Sequence, residues 1–293
     1  MSKELKSRIE ELEEALRLKE QELGRYRAEL QKTNQSLERI ITDLSQELKW
    51  VGIIQKALAP TQIPNIPGFE FSSKFLPGQS GGGDYFDIFE HDDRLKFGVL
   101  LSSSSGYSMS ALFLSVLMKV SGRIEAKKGL QPQQALETLA AEMTPNMQAK
   151  DEASVFYGVV DRRSFELRYT LLGDLAVFHQ PQSGDKLVRL DPAGRGLSLK
   201  NNTGFIDHTI QLGPRDRVIL CSEGIVQAKN PAGEAFGMER LQKLVLRAPR
   251  GGVHDLRNEI LFRNEQFSET NEPLRDQTVL VIEVNDRVIK LAK

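Results

Sequence analysis

Cysteine is almost missing from this sequence: Cys221 stands alone among 293 residues. A framework of internal disulfides is therefore excluded, and the composition fits a reducing, cytoplasmic setting. No apolar run approaches the ~18 residues that a membrane-crossing helix requires. The opening MSKELKSRIEELEE is charged throughout, unlike a signal peptide. Net charge is also lacking, since 39 Lys and Arg stand against 40 Asp and Glu. That balance gives no electrostatic reason to expect nucleic acid or an anionic membrane as a partner. The four histidines, His91, His179, His208 and His254, show no metal-ligand spacing. Internal repeats are absent, and the one low-complexity tract is Ser102 to Ser105.

Proline is missing before Pro60, and the stretch it leaves uninterrupted has a period of seven. Ile9, Leu16, Leu23, Leu30, Leu37, Leu44 and Val51 form one complete heptad row. A second row, Leu5, Leu12, Tyr26 and Ile40, is broken by Lys19, Thr33 and Glu47. Polar breaks are more easily solvated in a thin two-stranded coil than in a larger bundle, so residues 1–57 predict a parallel homodimeric coiled coil. A helix folding back on its own chain, or a coil with another protein, are the competing readings. Pro60, Pro64 and Pro67 end the helix and make 58–68 an extended linker.

Beyond the linker, 69–293 reads as one mixed domain. Alternating apolar residues predict strands at Phe69–Phe75, Ser154–Val160, Phe165–Leu172, Leu175–His179, His208–Leu212, Arg217–Cys221 and Thr278–Val284. Helices are predicted from about Ser108 to Ala126, from Pro132 to Met143, and near Met238–Leu246 and Val253–Phe267. Strands in hairpin runs with helices in separate pairs imply antiparallel sheets covered by helices, an α+β class and not a doubly wound parallel sheet.

The stretch Gly81–Ala111 carries the functional signal. Gly81-Gly82-Gly83 permits close backbone approach, Asp84 to Phe89 is extended, Asp92-Asp93 turns, and Leu95 to Leu101 is an apolar strand. Two strand ends holding carboxylates around a gap would make a divalent-metal site, but here one end holds only serines. The glycine run lacks the lysine and helix start of a phosphate-cradling P-loop. Cys221, on an apolar strand, is expected to be a buried structural thiol rather than a nucleophile.

Five motifs in order resemble the PPM-type serine/threonine phosphatases, specifically the bacterial SpoIIE/RsbU branch. Gly82 to Asp87 resembles the family's GGDYYD, and Ser105-Gly106-Tyr107-Ser108 with Ala111 stands in place of DVSGHGxxAA. Asp216 to Gly224 is similar to GDxLLLYTDG, Asn230 to Leu241 to the segment that follows, and Arg275-Asp276-Gln277-Thr278 to the terminal DDxT. The resemblance covers about three-quarters of the chain. It implies a PPM-type α-β-β-α sandwich, two stacked antiparallel sheets flanked by helices, preceded by the long coiled-coil helix.

Working members use two Mn²⁺ or Mg²⁺ ions to activate water against a phosphate ester, and such ions need carboxylate ligands, one of them bridging. Position by position, the resemblance retains Asp84, replaces the bridging aspartate by Ser103, lengthens the TDG aspartate to Glu223, and puts Arg275 where the metal-binding aspartate of DDxT belongs. Asp87 and Asp276 stand nearby, and a one-residue slip would restore Asp276 as a ligand. A guanidinium in the pocket would repel a divalent ion by about 8 kcal/mol at ~4 Å and an effective dielectric of ~20. Arg275 is therefore expected to pair with Asp84 or Glu223 and close the site in place of the ions. The implied protein is a catalytically inactive pseudophosphatase with no cofactor. It would act as a dimeric, protein-binding regulator whose partner is a signalling protein such as a STAS-domain antagonist. The alternatives are an active Mn- or Mg-dependent phosphoprotein phosphatase built on Asp84, Glu223 and Asp276, and a purely architectural coiled-coil dimer.

Overall fold

A computed structural model describes residues 3–58, 63–79, 83–105, 130–182, 186–248 and 250–285, together with Leu114, Val116 and Lys119. Backbone contacts divide the chain into two compact units, Met1–Glu47 and Leu48–Lys293.

The first unit is helical. Helix α1 (Lys3–Leu58) is continuous over 56 residues, as the absence of proline and the heptad pattern predict. Ile9, Leu16, Leu23, Leu30 and Leu37 all lie exposed on the single chain, between 42% and 66% accessible. The side chains of Leu44 and Val51, which complete the predicted row, lie outside the described residues. Exposed i,i+3 pairs such as Arg8–Glu11 and Lys19–Glu22 decorate the helix and contribute little stability each.

The second unit holds two five-stranded sheets, antiparallel at every strand pairing. One contains β1 (Phe69–Leu76), β10 (Gln277–Val284), β9 (Arg217–Cys221), β6 (Ala176–Gln180) and β7 (Val188–Arg189), in that spatial order. The other contains β2 (Tyr85–Glu90), β3 (Lys96–Ser105), β4 (Glu152–Asp161), β5 (Glu166–Leu172) and β8 (His208–Gln211). The alternation read from the sequence sorts side chains between three apolar layers. Phe86, Ile88, Phe97, Val99, Leu101, Phe156, Leu220, Leu280 and Ile282 meet between the sheets. The opposite parity on β3 and β4, Leu100, Val155 and Tyr157, faces helix α2 (Pro132–Met143) through Leu136, Leu139 and Met143, with Leu114 in the same cluster. On the other outer face Phe178, Ile219, Cys221, Val279 and Val281 pack with helices α4 (Gly237–Arg247) and α5 (Val253–Ser268) through Leu241, Val245, Leu256 and Ile260. Each large apolar side chain so buried contributes roughly 1.5–3 kcal/mol relative to exposure.

Two features differ from the sequence expectation. Strand β3 does not stop at Leu101 but runs through the serines, pairing Ser102 with Val155, Ser103 with Ser154 and Ser104 with Ala153. Backbone ladders do not require apolar side chains, so a polar tail extends an apolar strand at no cost in hydrogen bonds. A five-residue helix, α3 (Glu223–Gln227), follows β9; its EGIVQ is too short for helical periodicity to show. Apart from the three residues named, the helix predicted from Ser108 to Ala126 lies outside the described residues.

Candidate functional site at one end of the sandwich

The parity that fills the core also builds the site. On β3 the inward series Phe97, Val99, Leu101 continues to Ser103, and on β4 Phe156 is preceded in phase by Ser154. On β9 Val218 and Leu220 lead to Ser222, and on β10 Leu280 and Ile282 lead back to Thr278 and Asp276. Asp84, just before β2, is in phase with Phe86 and Ile88. The inter-sheet core thus ends in a layer of hydroxyls and carboxyls, all of them buried.

Asp84 is its centre. Ser103 Oγ donates to its Oδ1 at 2.6 Å and Thr278 Oγ1 donates to its Oδ2 at 2.8 Å. Burial, and next the like charge of Asp276, push the Asp84 carboxyl up to about 8, while the hydroxyl bonds oppose the shift. Asp276 accepts the Gly78 N–H at 2.8 Å and the Asp84 N–H at 3.2 Å. Ser222 ties the end of β9 to the start of its neighbour β10: its Oγ accepts the Thr278 N–H at 2.9 Å and donates to the Asp276 carbonyl at 3.4 Å.

Glu223 begins α3 beside this layer. Ser154 Oγ donates to its Oε1 at 2.5 Å and Gln227 Nε2 donates to its Oε2 at 3.1 Å. Ser154 is itself fixed by accepting the Asp174 N–H at 2.9 Å. Arg275 approaches Glu223 Oε2 at 3.8 Å with its side chain half exposed. Of the two carboxylates expected as its partner, Arg275 therefore meets Glu223, at the rim. Asp84 is answered by the hydroxyls of Ser103 and Thr278. The reason is again parity, since Asp276 takes the inward position and Arg275, one residue earlier, turns the other way. Gly224 is required where it stands, because a Cβ there would lie 1.9 Å from the Asp276 carbonyl oxygen.

Asp87 belongs to a different environment. It faces the α2 layer with Tyr85, accepting the Tyr85 hydroxyl at 2.9 Å and the Ile88 N–H at 2.9 Å. Its role there is to satisfy buried polar groups, apart from the Asp84 cluster. The sequence reading did not single out Ser154, Ser222 or Thr278. Their signal was available as a hydroxyl at the place where each inward apolar series stops. Among the described residues, no three His, Cys, Asp or Glu side chains converge so as to hold a metal ion.

Two face-to-face antiparallel sheets between paired helices, with acidic and hydroxyl side chains gathered at one end, define the PPM phosphatase class of fold. Solved structures agree. The SiaA-PP2C domain of Pseudomonas aeruginosa superposes with a TM-score of 0.67 at 17% identity, over 84% of this chain and 99% of that one. The phosphatase domain of SpoIIE from Bacillus subtilis, with a fragment of its regulatory domain, gives 0.63 at 14% identity, over 74% and 63%. The RsbU and RsbW domains of a Mycobacterium tuberculosis protein give 0.61 at 18% identity, over 78% and 63%. The model of the family Stage II sporulation protein E (SpoIIE) matches residues 93–285, and the chain belongs to that family. In sequence it is 24% identical over 216 residues to Protein IcfG of Synechocystis, spanning 65% of this chain and about a third (34%) of that protein's length.

Proposed function

We propose that this chain is a catalytically inactive member of its family, a pseudophosphatase that dimerises through a parallel coiled coil and regulates by holding a signalling protein. The observation that carries the reading is Ser103, at the bridging-aspartate position, with its hydroxyl given to Asp84 at 2.6 Å. Two hard divalent ions need mostly charged oxygen ligands and one that bridges. A neutral serine bonded to the neighbouring acid is a poor substitute, and the Arg275 cation at the rim adds repulsion. A STAS-domain antagonist is the proposed type of partner, in the cytoplasm, with no cofactor. Ile9, Leu16, Leu23, Leu30 and Leu37, exposed on the single chain, are the seam that a second copy would cover.

A second reading has its own support. Asp276 lies close enough to Asp84 for their like charges to interact, and a divalent cation would relieve both. An active Mn- or Mg-dependent phosphatase built on Asp84, Glu223 and Asp276 follows from that. Calorimetric titration of Mn²⁺ with aryl-phosphate hydrolysis in the same samples separates the two. The pseudophosphatase reading expects neither heat nor turnover, whereas micromolar binding with turnover refutes it. A double change, Ser103→Asp with Arg275→Asp, is expected to restore Mn²⁺-dependent hydrolysis.

A further inference from the structure

Away from the Asp84 cluster, helices α4 and α5 leave an open cavity of about 900 Å³ on the outer face of the domain. Its floor includes Phe236, Leu244 and Phe267, with the two phenylalanine rings edge to face at 5.3 Å. Four cations stand on its walls, Arg240, Lys243 and Arg247 from α4 and Arg263 from α5, against one lining carboxylate, Glu259. The α4 cations fall at i, i+3 and i+7, so one stripe of the helix presents them all along about 10 Å. Their ion pairs are exposed and weak: Arg240 meets Glu234 at 3.4 Å and Lys243 meets Glu239 at 3.6 Å. Arg263 holds Glu259 at 2.8 Å, and its neighbour across the cavity, Arg240, also lies over the Phe267 ring at 4.8 Å. Arg247 is exposed and has no ion pair among the described residues.

Set against Glu234, Glu239 and Glu259, the four cations leave a local excess of one positive charge, at Arg247, while the whole chain carries −1. We infer that the α4–α5 groove is a docking site for an acidic amphipathic segment of a partner protein. Two helical turns of that segment would set apolar side chains on the half-buried Leu244 and Phe267, with carboxylates flanking them at a spacing that meets Arg240 and Arg247. Charge complementarity selects the occupant: a basic segment is repelled, and an uncharged apolar one leaves Arg247 without a counter-charge. The inference does not depend on whether the Asp84 cluster is active.

The test uses the full chain and a fluorescein-labelled 16-residue helical peptide with Leu and Phe at i, i+4 and i+7 and Glu on both flanks, followed by anisotropy. Saturable binding that weakens with salt is expected, falling at least tenfold in Arg240→Glu/Arg247→Glu and measurably in Arg247→Glu alone. Both positions are exposed, and an unchanged circular dichroism melt shows that the variants fold. A matched peptide with Lys in place of Glu is expected not to bind. Equal binding of the acidic peptide to wild type and charge-reversed protein overturns the proposal, as does no saturation up to millimolar peptide. Two other results overturn it by naming a different occupant. One is self-association of the chain that the reversal abolishes; the other is tighter binding to phosphatidylserine vesicles than to the peptide.

Discussion

Replacing Asp84 by asparagine should change the pH dependence of stability in a direction set by the site. The Asp84 carboxyl is pushed up to about 8 in the folded chain by burial and by Asp276, against an ordinary value of 3.8. A carboxyl whose folded value is raised favours the folded state in its protonated form. Its contribution is fully present below about pH 4 and drains away as the pH rises toward 8. Across that window the folded chain holds one proton that the unfolded chain has released, so stability falls by about 1.4 kcal/mol per pH unit from this group. Asparagine keeps the shape and carries no charge, and the Ser103 and Thr278 hydroxyls can rotate to meet its amide. The assay is urea unfolding followed by circular dichroism at pH 5, 6, 7 and 8, in EDTA and at fixed protein concentration. The stability of Asp84→Asn minus that of the wild type should climb by about 1.4 kcal/mol per unit and flatten above pH 8. A difference that stays level from pH 5 to 8 would mean that Asp84 is ionised throughout, and the account of the site would fail.

Other consequences can be measured independently. Gly224→Ala drives a methyl into the Asp276 carbonyl oxygen, so a loss of at least about 1–3 kcal/mol is expected in the same unfolding assay; an unchanged midpoint would contradict the close approach of α3 to β10. Glu283 is buried between Arg215 and Arg217, and Glu283→Gln should cost about 3–5 kcal/mol by leaving the buried Arg217 guanidinium without its counter-charge. The Cys221 thiol is buried and pushed up to about 12 by that burial, so labelling by a thiol reagent at pH 8 should proceed no faster than global unfolding. Rapid labelling of the native chain would show an open face between β9 and helices α4 and α5.

Much of the sandwich was legible because both faces of each sheet are covered by apolar layers. The inward residues Phe97, Val99 and Leu101 and the outward residue Leu100 gave β3 its pattern, and Pro132 marked the first turn of α2. The family motifs grouped Asp84, Ser103, Glu223 and Arg275 in one pocket with Asp87 and Asp276 nearby, whereas in the structure Asp276 joins Asp84 and Ser103 in the buried layer, Arg275 stays at the rim and Asp87 turns to Tyr85. What remained hidden depends on pairing between distant segments. That Ser154 would hold Glu223, 69 residues away, follows from the register of β3 against β4 and the path of the chain after β9. The outward turn of Arg275 was hidden in the same way. A motif match assigns a position in a row, while the phase of β10 decides which of Arg275 and Asp276 enters the layer. The sheet order was likewise not readable, because every strand shows similar alternation.

That order bears on how the chain is made. Strand β10 lies between β1 and β9, so the first strand of the domain has no neighbour in its sheet until the last has been synthesised. Contacts of such long sequence separation close slowly, and a nascent chain meets them only when residues up to Val284 have left the ribosome. Helix α1 needs nothing beyond Leu58 and is complete long before. If the chain dimerises as proposed, two growing chains could find each other through their helices while their sandwiches are still unpaired. Choice of oligomeric partner would then precede folding of the domain whose output the partner serves.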